Sequence, residues 1–142
     1  MKPVFRALIL LLLSTGPLAW AQQPAGDPIG SHFIPPELIM QHQQEIGLSG
    51  EQRNFISAEI QRAQARFTEL QWQLSSEVES MASLVKQDRV DEQQTLAQLD
   101  KILNLEREIK RAHFTLIIRI KNRLSPEQQT RLQEIKRKLE AK

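Results

Sequence analysis

The feature that most constrains this chain is a single apolar stripe at helical spacing. Ile56, Ile60, Ala63, Phe67, Leu70, Leu74, Val78, Met81 and Val85 recur at steps of three and four, and after Gly50 no glycine or proline interrupts the run to Lys86. Such spacing puts one apolar edge on an otherwise polar rod and predicts a helix from about Gly50 to Lys86. A second stripe follows: Leu96, Leu99, Leu103, Ile109, Ala112, Leu116, Ile120 and Leu124, with Ile102, Ile117 and His113 beside it. It predicts a helix from Glu92 to about Arg123, with Asp91 as its N-cap. Gln87 to Val90 forms the polar break between the two. No stretch alternates as a strand does.

Punctuation completes the outline. Pro35-Pro36 can open a short helix from Pro36 to about Ile46, because proline is tolerated in a first turn, and Gly47 supplies the stop. Ser49-Gly50-Glu51-Gln52 and Ser125-Pro126-Glu127-Gln128 are capping-box patterns. In each, the serine hydroxyl accepts a backbone N–H and the glutamine reaches back to the cap. The second opens a last helix to about Glu140, with Leu132, Ile135 and Leu139 on one face. The expected fold is all-α: a long antiparallel helical hairpin with short helices at each end. Two long helices cannot enclose a thick core. Part of the stripe must be covered by the end helices, by clients or by a second copy, and a homodimer would bury the same stripe twice.

The first 21 residues read as a cleavable secretory signal. Lys2 and Arg6 precede the apolar run Ala7 to Leu13, and Ala19-Trp20-Ala21 fits a small-x-small cleavage site. The run is short of the roughly 20 residues that a spanning helix needs. Residues 22–35, rich in Pro, Gly and polar side chains, read as a flexible arm, and 36–142 as one helical domain. Cleavage near Ala21 would remove two of the 19 basic residues and no acid, leaving 17 basic against 17 acidic. The remainder is segregated, with 5 basic and 12 acidic residues in 22–100 and 12 basic and 5 acidic in 101–142. Antiparallel helices from the two halves would attract. With no cysteine in the chain, neither a disulfide nor a thiol nucleophile is available. Nucleic acid is not an expected partner of an exported, charge-balanced protein.

Each capping box follows a leucine. Leu48-Ser49-Gly50-Glu51-Gln52 and Leu124-Ser125-Pro126-Glu127-Gln128 resemble the paired LTxxQ motifs of the Spy/CpxP family, with serine in place of the usual threonine. The likeness covers about Pro36 to Leu139. It implies a periplasmic protein forming a thin, curved antiparallel dimer without ATP. Family members act as chaperones for non-native envelope proteins or as adaptors that restrain a membrane sensor kinase. More distant relatives of the CnrX/ZraP type bind transition metals in heavy-metal resistance.

For chemistry, the chain carries no Gly-rich phosphate loop and no His-Glu-x-x-His, and its carboxylates lie on polar helix faces. No enzyme activity and no cofactor are expected. The metal candidates are His42, His113 and His32. The paired histidines of the CnrX-type relatives are missing, since Leu38 and Ile46 flank His42 at four residues, and Leu116 and Ile120 stand where those relatives carry His and Met. No metal site is therefore expected. For binding, Trp72, Phe114 and Ile118 fall off the main stripes, and Phe114 and Ile118 share a face. Lys110, Arg111 and Lys121 lie close by. Apolar groups ringed by positive charge suit transient capture of unfolded segments. The other reading of the same residues is that they complete a dimer interface or pack under an end helix. The expected function is an ATP-independent periplasmic chaperone or envelope-stress protein. The alternative is a periplasmic regulator or heavy-metal-responsive adaptor that binds a sensor kinase or anti-sigma factor.

Overall fold

The computed structural model describes residues 29–141. The predicted leader, its cleavage site and arm residues 22–28 lie outside the described residues. Four α-helices follow a 3₁₀ turn at Gly30–His32: α1 (Pro36–Gln41), α2 (Gly50–Val85), α3 (Glu92–Lys121) and α4 (Pro126–Glu140). No strand occurs among the described residues. At 1.5 Å per residue, α2 and α3 are rods of about 54 and 45 Å. They pair as the predicted hairpin.

Local chemistry sets the boundaries. Ser49 and Ser125 accept the backbone N–H of Gln52 and Gln128 at 3.1 and 3.2 Å, and both boxes close reciprocally. Asp91 caps α3 through the Gln94 N–H at 2.9 Å. Pro126 stands in the first turn of α4, where its missing N–H is no loss. The first helix is shorter than its composition suggests. Regular helix ends at Gln41, and His42 already departs from helical angles (φ −105°, ψ 18°). Residues 42–47 continue as turns. Gln43, Gln44 and Glu45 offer no apolar anchor there, and only Ile46 returns to the core. Gly47 then takes φ 66°, and the Leu48 N–H donates to the Gln43 carbonyl at 2.9 Å. That left-handed closure is the stop that Gly47 signalled.

Core packing is confined to the end of the hairpin where the short helices sit. Ile39, Ile46, Ile56, Leu116, Ile120, Leu124, Leu132 and Ile135 form one buried cluster, with Leu48, Phe55, Ile60 and Ala63 against it. Ile56 and Leu132 are completely enclosed. Toward the tip the packing thins to a two-helix ribbon. Leu70 is buried there, but Val78, Val85, Leu96, Leu99 and Leu103 are between 39% and 52% exposed. Leu96, Leu99 and Leu103, expected on the α3 stripe, face outward, and Gln98, Ile102 and Leu105 take the inward positions; within one chain the end helices cover only the base of the hairpin.

Polar bridges tie the ribbon. Arg66 joins Glu69 to Glu108 across the helices. Near the tip, Gln98 donates to both the carbonyl and the carboxylate of Glu77, at 2.8 and 2.6 Å. Lys101 lies 3.9 Å from the same carboxylate. No helix among the described residues is long and apolar enough to cross a membrane.

Candidate functional site

The two Leu-Ser-x-Glu-Gln segments, 76 residues apart, meet at the base of the hairpin. Each glutamine does more than cap its own helix. Gln52 Oε1 accepts the Ser49 N–H at 3.0 Å, and Gln128 Oε1 accepts the Ser125 N–H at 2.9 Å. The two amides then exchange bonds, Gln52 Nε2 to Gln128 Oε1 at 2.9 Å and Gln128 Nε2 to Gln52 Oε1 at 3.1 Å. The second proton of each goes to the residue preceding the other motif: Gln52 to the Arg123 carbonyl at 2.8 Å, Gln128 to the Gly47 carbonyl at 3.2 Å. The result is a pseudo-symmetric clasp in which each amide makes four bonds. The leucines stand beside it. Leu124 is buried in the core and Leu48 is half-buried against it. Glu51 and Glu127 occupy the first turns, where a helix N-terminus favours a carboxylate. The Ser125 hydroxyl and the Glu127 backbone N–H, the latter first in weight, hold the Glu127 carboxyl below its usual range. Around the clasp, the Arg123 guanidinium lies 4.9 Å over the Phe55 ring. Gln129 donates to the Lys121 and Leu124 carbonyls at the end of α3, at 3.1 and 3.2 Å. The clasp is a joint, with no reactive group in it.

The proposed partner surface lies higher on the hairpin. Trp72 is 75% exposed, and Phe114 and Ile118 are 40% and 45% exposed. Leu96, Leu99, Leu103, Arg107, Lys110, Phe114 and Ile118 follow at steps of three and four on one outward face of α3. Leu103, Arg107, Lys110, Arg111 and Phe114 line a shared shallow groove. On α2, Trp72 lines another with Phe67 and Gln71. Between the two lies an apolar cleft of about 470 Å³, walled by Phe33, Ile60, Ala63, Phe67, His113, Phe114 and Ile117. Phe67 borders both the cleft and the Trp72 groove, and Phe114 borders both the cleft and the α3 groove. Trp72 and Phe114, on different helices, therefore belong to one continuous surface.

Lys121 is placed differently from Lys110 and Arg111. Its ammonium sits 5.8 Å over the Phe33 ring and 3.4 Å from the His32 carbonyl, so it grips the N-terminal segment. Glu59 was not legible as a site residue. It is buried on α2 between Arg62 of its own helix and Arg119 of α3, the latter at 3.0 Å. Arg119 is thus a bridge between helices, although its basic surroundings suggest a solvated face. The available signal was a carboxylate three residues after Ile56, on the apolar side of the rod.

The three histidines serve different neighbourhoods. His42 pairs with Glu45 at 2.9 Å. His113 lies on the cleft wall, 6.4 Å from the Phe67 ring and 6.3 Å from that of Phe114. His32 offers its backbone carbonyl to Lys121. Among the described residues, no three His, Cys, Asp or Glu side chains gather as a metal-holding group.

Comparison with protein-family models, with curated proteins and with solved structures found no match to this chain. What the fold defines is an all-α hairpin, clasped at its base and open along its upper faces.

Proposed function

We propose that this protein is an ATP-independent chaperone of the cell envelope, which shields non-native proteins by transient contact along the open upper half of its hairpin. The observation that carries this reading is the continuous surface from Trp72 through Phe67 and Phe114 to Leu103, where these apolar side chains stand beside Thr68, Gln71 and Ser75 and are edged by Glu106, Arg107, Lys110 and Arg111, a net positive rim. Half-exposed apolar side chains give affinity for unfolded segments, and the edging charge speeds encounter. Half-exposed contacts of this kind are individually weak, so the client stays free to fold. The resemblance of the two leucine-serine motifs to those of the Spy/CpxP family favours the same reading. With it come an exported location, a signal cleaved near Ala21, and a homodimer whose second copy covers part of the open stripe.

The test is light scattering from a denatured client diluted into buffer with equimolar protein. Suppression of scattering without ATP is expected. Unchanged scattering at several-fold excess would remove the proposal.

A further inference from the structure

The N-terminal segment that crosses the apolar cleft is held in an unusual way. Gly30–His32 form the 3₁₀ turn, and Phe33 and Pro35 are extended (φ −98°, ψ 145° and φ −57°, ψ 135°). Lys136 Nζ of α4 donates to the Gly30, Ser31 and Phe33 carbonyls at 3.4, 3.4 and 3.2 Å. Lys121 Nζ of α3 and Gln133 Nε2 of α4 reach the His32 carbonyl at 3.4 and 3.5 Å. Four consecutive carbonyls are thus held by side-chain donors from two helices. One side-chain contact is aromatic: the Phe33 ring meets Phe114 edge to face, with centroids 5.6 Å apart.

This grip uses the backbone of the segment, the Phe33 ring, and Ile34, which packs against the core. Carbonyls are common to every peptide, so donors aimed at them tolerate any sequence. The cleft floor behind the ring, formed by Ile60, Ala63, Phe67 and Ile117, is apolar and partly unfilled. We propose that this cleft is a binding site for unfolded peptide segments carrying an aromatic residue, and that Gly30–Pro35 is its built-in competitor, a strap that an incoming segment displaces. The inference deepens the chaperone reading by naming the class of segment captured and the contact that must open first. A tethered competitor acts at an effective concentration near the millimolar range. A free peptide must therefore outcompete it, and its apparent affinity falls by the fraction of molecules whose strap is open.

The test uses the full chain and a fluorescein-labelled, amidated peptide of the strap sequence, IGSHFIPP, followed by fluorescence anisotropy. Phe33→Ala removes the ring from the strap and leaves every buried core residue in place. The Phe33→Ala chain is expected to bind the peptide about tenfold more tightly than the unaltered chain, the scale of one buried aromatic contact. The same peptide with its phenylalanine replaced by alanine is expected to bind neither. Adding Lys136→Met to the Phe33→Ala chain is expected to weaken binding again, because the carbonyl donor is lost. Far-UV circular dichroism on each variant reports that the helices are intact. Equal binding by both chains, or binding that ignores the peptide's phenylalanine, would overturn the proposal. Peptide binding alongside undiminished client aggregation would support the cleft while removing the chaperone reading, so the two fail separately.

Discussion

Replacing Gln128 by alanine should expose how the two motifs depend on each other. The Gln128 side chain makes four hydrogen bonds: one to the Ser125 N–H, two with Gln52 and one to the Gly47 carbonyl. Gln52 makes four of its own, and two of these are the bonds it shares with Gln128. At about 0.5–1 kcal/mol net per bond, each single variant should lose about 2–4 kcal/mol. The double variant loses six distinct bonds, about 3–6 kcal/mol on the same scale, where simple addition of the singles would give about 4–8. A coupling of about 1–2 kcal/mol is therefore expected. Gln128→Glu should be at least as damaging as alanine, because it puts an oxygen against the Gly47 carbonyl and Gln52 Oε1. The assay is urea denaturation followed by circular dichroism, with all four chains of the cycle measured together. Single-variant losses that add to within about 0.5 kcal/mol would mean that the glutamines only cap their own helices.

Further outcomes follow from other contacts. Arg119→Ala should cost about 1–2 kcal/mol, a figure discounted because Arg119 is half exposed, whereas Glu59→Leu should be neutral or stabilising, since an apolar side chain replaces a buried carboxylate; chemical denaturation of both variants checks the contrast. The Glu127 carboxyl is held down in the folded state, so its contribution is present above the unfolded carboxylate range and is lost as pH falls through the lower folded value. Carboxyl-resolved NMR titration should give a midpoint below that of an unperturbed glutamate, and Glu127→Gln should flatten the corresponding step in the acid unfolding curve. Leu132→Ala should cost about 2–5 kcal/mol and leave client binding unchanged at temperatures where the chain stays folded. Trp72→Ser and Ile118→Ser should change the unfolding free energy by less than about 0.5 kcal/mol and weaken aggregation suppression.

The starts of α2, α3 and α4 were legible because capping is local, whereas the end of α1 was not. Ser49, Asp91 and Ser125 each find their donor three residues away, within the reach of a sequence pattern. The clasp was not legible for the same reason. Gln52 and Gln128 already had a local role, and nothing in the chain says where the remaining amide protons go. A glutamine has two donors that a helix cap does not use, and that surplus was the only clue. Glu59 and Arg119, 60 residues apart, posed a similar problem, since pairing across the hairpin depends on the register of two rods. The apolar stripe of α2 foretold the hairpin. That of α3 misplaced Leu96, Leu99 and Leu103 on the inner face, where Gln98, Ile102 and Leu105 stand, and neither could tell which part the end helices would cover. That division is set by length: α1 and α4 have 6 and 15 residues against 36 and 30 in the hairpin, so they reach only its base.

The proposed chaperone function requires non-native proteins to be held on the open upper faces of the hairpin. The most direct measurement is a methyl NMR titration of the isotope-labelled protein with a denatured client. Shifts or broadening are expected at Val78, Leu96, Leu99, Leu103 and Ile118, with Ile39, Ile56 and Leu132 unmoved. Unperturbed spectra at saturating client, or changes confined to the buried base, would contradict it.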